Sequence, residues 1–329
     1  MKIFISIASY QDALLETTIK SAYEKADMPE NLIFGICDQS SIPLDIESIK
    51  FNNQIKYEHI DPLESEGPCW ARSRIQEKFE DEEYYLQIDS HMQFDQSWDS
   101  YLIKYIEEIR SVDSEMHQLP IITCYPRSFD VVSIETKKFE LNKSDCNTHT
   151  IAYREDAMFI KENFCRQIGS ITTKEISHGY LIAAGFLFST KEFVKQIPYD
   201  SDFYFYGEEI SIMLRAFTRG FGIFHLPAIP IFHLYTETTD IKRKLHWDED
   251  EDSKRETKWY QREEISIKKL SDIINNKIEG IFGLGNKRTM KDYEYLSGVD
   301  LINKKVIEKD KAFTGNFVSS LPWDKELFH

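Results

Sequence analysis

The residues best placed to do chemistry are Asp89-Ser90-His91, which close the apolar run YYLQID (84–89). Along a strand, positions i and i+2 point to the same side, so Asp89 and His91 can converge on one ion at the strand's C-terminal mouth. One carboxylate oxygen with one neutral imidazole suits Mn²⁺ and neighbouring divalent metals, whereas all-oxygen sites are more typical of Mg²⁺ or Ca²⁺. Two ligands are not enough. A third has to come from elsewhere, and His178, His225 and His233 are the candidates. Asp-X-His also arises by chance, and a capping aspartate beside a surface histidine reads the same way. The position at the end of an apolar strand sets the two readings level. A lone histidine such as His233 is more often a structural residue satisfied by its neighbours.

Charge gives a physical reason for a metal. The chain has 40 Lys+Arg against 56 Asp+Glu, a formal net charge of −16. Such a body repels polyphosphate backbones and anionic membrane surfaces, which excludes nucleic acid as a main partner. A nucleoside diphosphate would be repelled as well, unless a divalent cation reversed the local sign. Neither GxxxxGK[ST] nor GxGxxG occurs, so the backbone phosphate cradles of those two kinds are ruled against.

The elements that must position these residues can be read from apolar periodicity. KIFISIAS, NLIFGIC (31–37), QIKYEHI (54–60), YYLQID and LPIITCYP (119–126) read as strands. Helical patterns lie between them: positions 13–26, a helix opened by Pro68 through Phe79, and one started by Ser97 or Asp99. This βαβ rhythm implies an α/β fold with a mostly parallel sheet covered by helices. Ligands of such sheets sit beyond the C-terminal strand ends, here residues 8–12, 38–40, 60–74 and 89–91. Residues 126–178 are polar, with one antiparallel pair expected. YLIAAGFLFS (180–189) reads as a strand, ISIMLRAFTRG as an amphipathic helix ended by Gly220, and 222–235 as an edge strand or two pieces because of its two prolines. The run DEDEDSKRE (248–256) reads as a solvated charge cluster, and the stretch from there to Arg288 as helical. The expected organisation is a catalytic unit over 1–240 (halves at about 1–125 and 126–240) with a helical extension, 241–329, packed on it.

Composition bounds the rest. At 329 residues, with 41% hydrophobic and 29% charged, the chain is globular. No apolar run reaches the ~18 residues of a membrane span. The start has no small-residue cleavage signal, so no secretory peptide is expected. Cys37, Cys69, Cys124, Cys146 and Cys165 are odd in number and without a CxxC pair, which reads as reduced thiols in a cytoplasmic protein.

Several motifs in order carry a resemblance over nearly the whole chain: IFISIASYQD (3–12), GPCWARS (67–73), QIDSHMQF (87–94), HGYLIAAGFLFS (178–189), DFYFYGEEISIMLRAFTRGFGIFHLP (202–227), IFHLY (231–235) and GLGNKRTMKDYEYLSGVDL (283–301). Together they resemble the Skp1-type hydroxyproline N-acetylglucosaminyltransferases. The DSH triplet and the later histidine also resemble the metal site of polypeptide N-acetylgalactosaminyltransferases, which are GT-A enzymes on a Rossmann-like fold. The resemblance implies retaining transfer of a sugar, GlcNAc, from a UDP-sugar to a hydroxyl on a protein or glycan. It implies a divalent cation, Mn²⁺ ahead of Mg²⁺, on Asp89, His91 and His233, with Ser90 inside the motif. Ser9, Tyr10 and Asp12 match the uridine loop, with the uracil near Tyr10 and Asp38. Arg72 matches the basic residue near the nucleotide, Ala184-Gly185 the small residues under the donor sugar, and Glu208 and Glu209 the acidic pair facing sugar and acceptor.

Each residue also has a plainer reading. Arg72 could be half of a surface ion pair and Gly185 a packing glycine. Glu208 and Glu209 could be first-turn acids favoured by the helix dipole. His178 could donate to phosphate or be a loop residue. Trp247 and Trp259 could line an acceptor groove, though burial in the extension suits them better. Two other functions fit the same ligands: a metal-dependent nucleotide-sugar hydrolase, and a non-catalytic sugar-nucleotide binding protein.

Overall fold

The computed structural model describes residues 1–143, 148–160, 165–172, 174–235 and 243–315. In chain order, the first half holds β1 (Ile3–Tyr10), α1 (Leu15–Lys25), β2 (Leu32–Gln39), β3 (Ile55–Ile60), α2 (Pro68–Gln76), β4 (Tyr84–Asp89), β5 (Met92–Phe94), α3 (Trp98–Arg110), α4 (Glu115–Gln118), β6 (Pro120–Thr123), β7 (Arg127–Ser133), β8 (Lys138–Leu141) and β9 (His149–Tyr153). The second holds β10 (Gln167–Thr172), β11 (Ser177–Gly179), β12 (Phe186–Thr190), α5 (Lys191–Gln196), α6 (Glu208–Thr218), β13 (Gly222–His225), β14 (Ile231–His233), α7 (Glu249–Asp252), α8 (Trp259–Ile274), α9 (Met290–Ser297) and α10 (Lys309–Thr314). One sheet of order β11-β13-β6-β12-β4-β1-β2-β3 forms the centre. The pairs β1/β2, β1/β4, β2/β3 and β6/β13 are parallel, while β12 runs antiparallel between β4 and β6.

Strand alternation divides the core in two. Ile3, Ile5 and Ile7 of β1 face α1 and α3, packing with Leu15, Ile19, Trp98, Leu102 and Ile106. Phe4 and Tyr85 face the other layer, with Ile75 of α2, Phe193 of α5 and Leu214 of α6. Helices on both faces explain why these strands are apolar throughout.

Several segments differ from the sequence reading. Residues 180–185 are not strand; only Phe186–Thr190 is. The run is apolar because Tyr180, Leu181 and Ile182 are buried in the core as a connector, and an apolar run does not tell connector from strand. The stretch 126–178 holds two hairpins, β7/β8 and β9/β10, where one pair was expected. Residues 222–235 do divide at Pro227 and Pro230: β13 joins the main sheet, and β14 joins a second one of order β5-β14-β7-β8. The helical pattern towards Arg288 stops at Ile274, where Asn276 takes a positive φ of 54°. The acidic run is not wholly solvated, since Glu251, Asp252 and Arg255 are buried. Cys37, Cys69 and Cys124 are buried free thiols, Cys165 is buried, and Cys146 lies outside the described residues. Among the described residues no helix is long and apolar enough to cross a membrane.

Candidate active site

β4 delivers Asp89 to the C-terminal edge of the main sheet, and the chain turns directly into β5. β14 pairs antiparallel with β5, His233 opposite Met92, so the second sheet brings His233 beside His91 although 142 positions separate them. The two imidazole Nε2 atoms are 3.1 Å apart, and His233 Nε2 is 3.3 Å from Asp89 Oδ2. One ligand atom from each of Asp89, His91 and His233 lies within 4.8 Å of the others. The alternative third ligands are elsewhere: His178 and His225 sit on β11 and β13 at the far edge, and His225 Nδ1 bonds the Thr123 carbonyl at 2.7 Å.

The surroundings fit a cation. Asp12 Oδ2 accepts from Ser90 Oγ at 2.6 Å and meets His91 Nδ1 at 2.7 Å. A carboxylate on Nδ1 makes it the protonated nitrogen, which leaves the Nε2 lone pair for a metal. Burial works against charge on Asp12, but the hydrogen bonds and charge of His91, with those of Ser90 and the Leu14 amide, hold its pKa below the ordinary value. Burial likewise opposes charge on Asp89, yet His233, His91 and Arg72 keep its carboxyl far below the usual range. Gly185 makes the cradle: a Cβ there would stand 2.6 Å from Asp89 Oδ2. Arg243 Nη1 donates to the same His91 Nε2 at 2.9 Å, so this guanidinium holds the lone pair that an ion would use and has to give way for an ion to bind there.

A cavity of about 440 Å³ opens beside the triad, lined by Arg72, Asp89, Ala184, Gly185, Glu208, Glu209 and His233 among others. Arg72 is no surface residue. It is buried on α2, its Nη2 3.1 Å from Asp89 Oδ1 and its Nε 3.8 Å from Glu208 Oε1, one guanidinium between two carboxylates. Glu208 and Glu209 open α6 after Gly207, whose φ of 91° suits glycine. Burial pushes the Glu208 carboxyl up, against the pull of Arg72 and of the Tyr199 hydroxyl that donates to it at 2.6 Å. Glu209 uses both oxygens: Oε1 accepts the Ala184 amide at 2.8 Å and Oε2 the Gln167 side chain. Burial outweighs these donors and, with Glu208 nearby, raises its pKa to about 7.

A second cavity, about 150 Å³, contains Tyr10, Asp12, Ser90 and His91 and shares Pro68, Asp89 and Phe205 with the first. Arg255 Nη2 donates to the Tyr10 hydroxyl at 2.5 Å and to the Pro62 carbonyl at 3.1 Å, and its Nη1 to the His246 carbonyl at 2.6 Å. The acidic run is buried because it docks here, Glu251 accepting from Tyr10 at 3.4 Å. Two expected residues lie outside both cavities. Ser9 is buried in β1, and Asp38 accepts from the Tyr57 hydroxyl at 2.7 Å and the Leu44 amide at 3.1 Å. Trp247 lines the smaller cavity, while Trp259 lines neither.

Sequence reasoning missed Tyr125, Gln167 and Tyr235 in the larger cavity and Arg243 and His246 in the smaller, whereas Gln39 and Ser65 of the smaller fall in the stretches 38–40 and 60–74 expected at the ligand edge. One signal was available: Lys242-Arg243-Lys244 is a basic triplet just ahead of an acidic run, in a chain that needs positive charge near any diphosphate.

Comparison with known proteins gives the family and the fold. The family described as Glycosyltransferase (GlcNAc) matches residues 2–49 and 43–303. Among solved structures the chain is similar to GalNAc-T7 in complex with UDP, GalNAc and Mn²⁺, at 14% identity and TM-score 0.54, covering 71% of this chain and 44% of that one. The chain thus spans less than half the length of that relative. It is also similar to S. aureus TarS 1–349 with UDP-GlcNAc, at 14% identity and TM-score 0.47, covering 83% and 73%. No curated protein matches its sequence. The central sheet flanked by helices is that of GT-A glycosyltransferases.

Proposed function

The chain belongs to the GlcNAc family of glycosyltransferases, and from that premise we propose that it moves GlcNAc from a UDP-sugar to a hydroxyl on a protein or glycan, retaining configuration, with a divalent cation, Mn²⁺ ahead of Mg²⁺. The observation that carries this reading is the convergence of Asp89, His91 and His233 at the junction of two cavities. The smaller cavity suits the nucleotide and the larger the sugar, which puts the diphosphate at the triad. The GalNAc-T7 complex holds UDP and Mn²⁺ on the same fold.

Asp89, His91 and His233 would hold the cation, whose charge offsets that of the diphosphate when bound. Asp12 keeps the His91 tautomer that binds. The buried Arg72 guanidinium faces the charge that grows on the β-phosphate as the glycosidic bond breaks. Glu209 ties the Ala184-Gly185 floor to α6 and so holds the surface under the sugar, while Glu208 positions a sugar or acceptor hydroxyl. We propose front-face attack: the acceptor oxygen bonds the anomeric carbon as the carbon–phosphate-oxygen bond breaks, and the acceptor proton passes to the departing diphosphate. The engagement of both Glu209 oxygens supports this over a Glu209 nucleophile. Residues 1–240 would form the catalytic unit, with the extension closing the nucleotide side through Arg255. The buried free thiols of Cys37, Cys69 and Cys124 suit a reducing compartment such as the cytoplasm.

A panel of nucleotide-sugars screened for metal-dependent UDP release, with Asp89→Ala as control, tests the reading. Product bearing the sugar with unchanged anomeric configuration supports it. Free sugar from every donor–acceptor pair would mark a hydrolase, and UDP binding without donor consumption a carrier.

A further inference from the structure

A third cavity continues the line of the first two. It is an open groove of about 540 Å³, within the roughly 300–1,000 Å³ of small-ligand sites. Tyr125, Pro126, Gln167 and Tyr235 line both this groove and the larger cavity, whereas the groove and the nucleotide-side cavity have no lining residue in common. The order is therefore nucleotide side, sugar cavity, groove, which is the order in which a transferred sugar has to travel.

The lining says what would enter. Among the described residues no carboxylate lines the groove, in a chain of net charge −16. Its one guanidinium, Arg127, is engaged by the protein: it donates to the Ile229 carbonyl at 3.3 Å and lies 4.8 Å from the Phe232 ring. Ser128, Asn142 and Gln167 add neutral hydroxyl and amide groups, Gln167 through its unpartnered Oε1 because its nitrogen donates to the Ile182 carbonyl at 3.0 Å and to Glu209, and His149 Nδ1 bonds the Ser170 carbonyl at 2.7 Å. Tyr235 is 45% exposed yet fixed, its hydroxyl donating to the Pro126 carbonyl at 2.8 Å and its ring 4.3 Å from that of His233. An exposed, immobilised aromatic face attracts the apolar C–H face of a pyranose at little entropic cost, while amides and hydroxyls bond its rim. Among the described residues, Arg127 is the one formally charged side chain of this lining and is tied to Ile229 and Phe232, and the remaining groups are neutral.

We propose that this groove is the acceptor site and that its occupant is a neutral sugar ring, so that the acceptor hydroxyl belongs to a glycan. The proposal rests on the glycosyltransferase reading above and adds the acceptor class to it.

The test uses the full chain with UDP-GlcNAc and MnCl₂. Acceptors are the p-nitrophenyl pyranosides of glucose, galactose, mannose and GlcNAc, set against serine, threonine and hydroxyproline peptides. Adducts are read by mass spectrometry, and UDP release without acceptor is followed in parallel. A GlcNAc adduct on a pyranoside is expected. Asn142→Ala and His149→Ala, which lie on the groove alone, should each raise the pyranoside KM about tenfold relative to the donor KM of the same variant. Adducts on peptides only, or a pyranoside KM moved less than twofold by both substitutions, overturns the assignment while leaving the transferase reading standing, and UDP release with no adduct on any acceptor overturns the transferase reading with it. No UDP release from UDP-GlcNAc under any condition overturns both together.

Discussion

Replacing Gly185 with alanine tests the cradle at its tightest point. The backbone of Gly185 is not in the positive-φ region, so an L-residue is conformationally allowed, and the obstacle is contact alone. The added Cβ would stand 2.6 Å from Asp89 Oδ2 and 3.3 Å from Asp89 Cγ. Restoring an ordinary 3.4 Å contact to Oδ2 means a shift of 0.8 Å (3.4 − 2.6). Asp89 cannot swing away freely, because Arg72 Nη2 holds Oδ1 at 3.1 Å and His233 Nε2 lies 3.3 Å from Oδ2. Metal–ligand distances tolerate only about 0.2 Å. The displaced carboxylate should therefore cost about 10–100-fold in cation affinity, the range found when a ligand is mis-oriented, or about 1.4–2.7 kcal/mol. Overpacking should lower stability by about 1–3 kcal/mol as well. The assay is Mn²⁺ titration of UDP release, with circular dichroism as the check on folding. A folded variant with the wild-type Mn²⁺ dependence would refute both the cradle and the role of Asp89.

Three further outcomes are expected. Asp12→Asn removes the carboxylate on His91 Nδ1 and should weaken Mn²⁺ binding about tenfold or more, read by calorimetry; unchanged affinity would remove Asp12 from the site. The Glu209 pKa stands above its ordinary 4.5, at about 7, so the folded state keeps a proton that the unfolded chain has lost. Stability relative to Glu209→Gln is full below pH ~4.5 and should fall as pH rises to about 7, in melting curves of both proteins; a flat difference would contradict the burial argument. Arg255→Met cuts the bonds to Tyr10, Pro62 and His246 and should weaken UDP binding about tenfold, while Arg255→Lys recovers part of it; unchanged UDP affinity would leave Arg255 a purely structural tie.

The first half of the fold was legible because β1, β2, β4 and β6 are buried along most of their length and its breakers are strong: Pro68 opens α2, and YYLQID ends as a strand at Asp89. Pro227 and Pro230 announced the division between β13 and β14. The connector over 180–185 was not legible, since its apolarity comes from packing rather than from pairing. Nor was the burial of Glu251 and Asp252, because a charge run shows nothing of the Tyr10 hydroxyl and the Pro62 carbonyl that its Glu251 and Arg255 meet. For the site, Asp89 and His91 were paired on strand period, but β4 ends at Asp89 and His91 stands in the turn before β5, so the turn and not the strand brings them together. His233 stayed one of three histidines on spacing alone, and only the β5/β14 register separates it from His178 and His225. Arg243, far along the chain from His91, has no local signal of that contact.

The most direct measurement is the anomalous scattering of Mn²⁺ in crystals of the full chain grown with UDP. The expected result is one strong peak bounded by Asp89, His91 and His233, with each ligand atom at about 2.0–2.3 Å. A peak held without His233, or no peak at the triad while UDP occupies the neighbouring cavity, would contradict it.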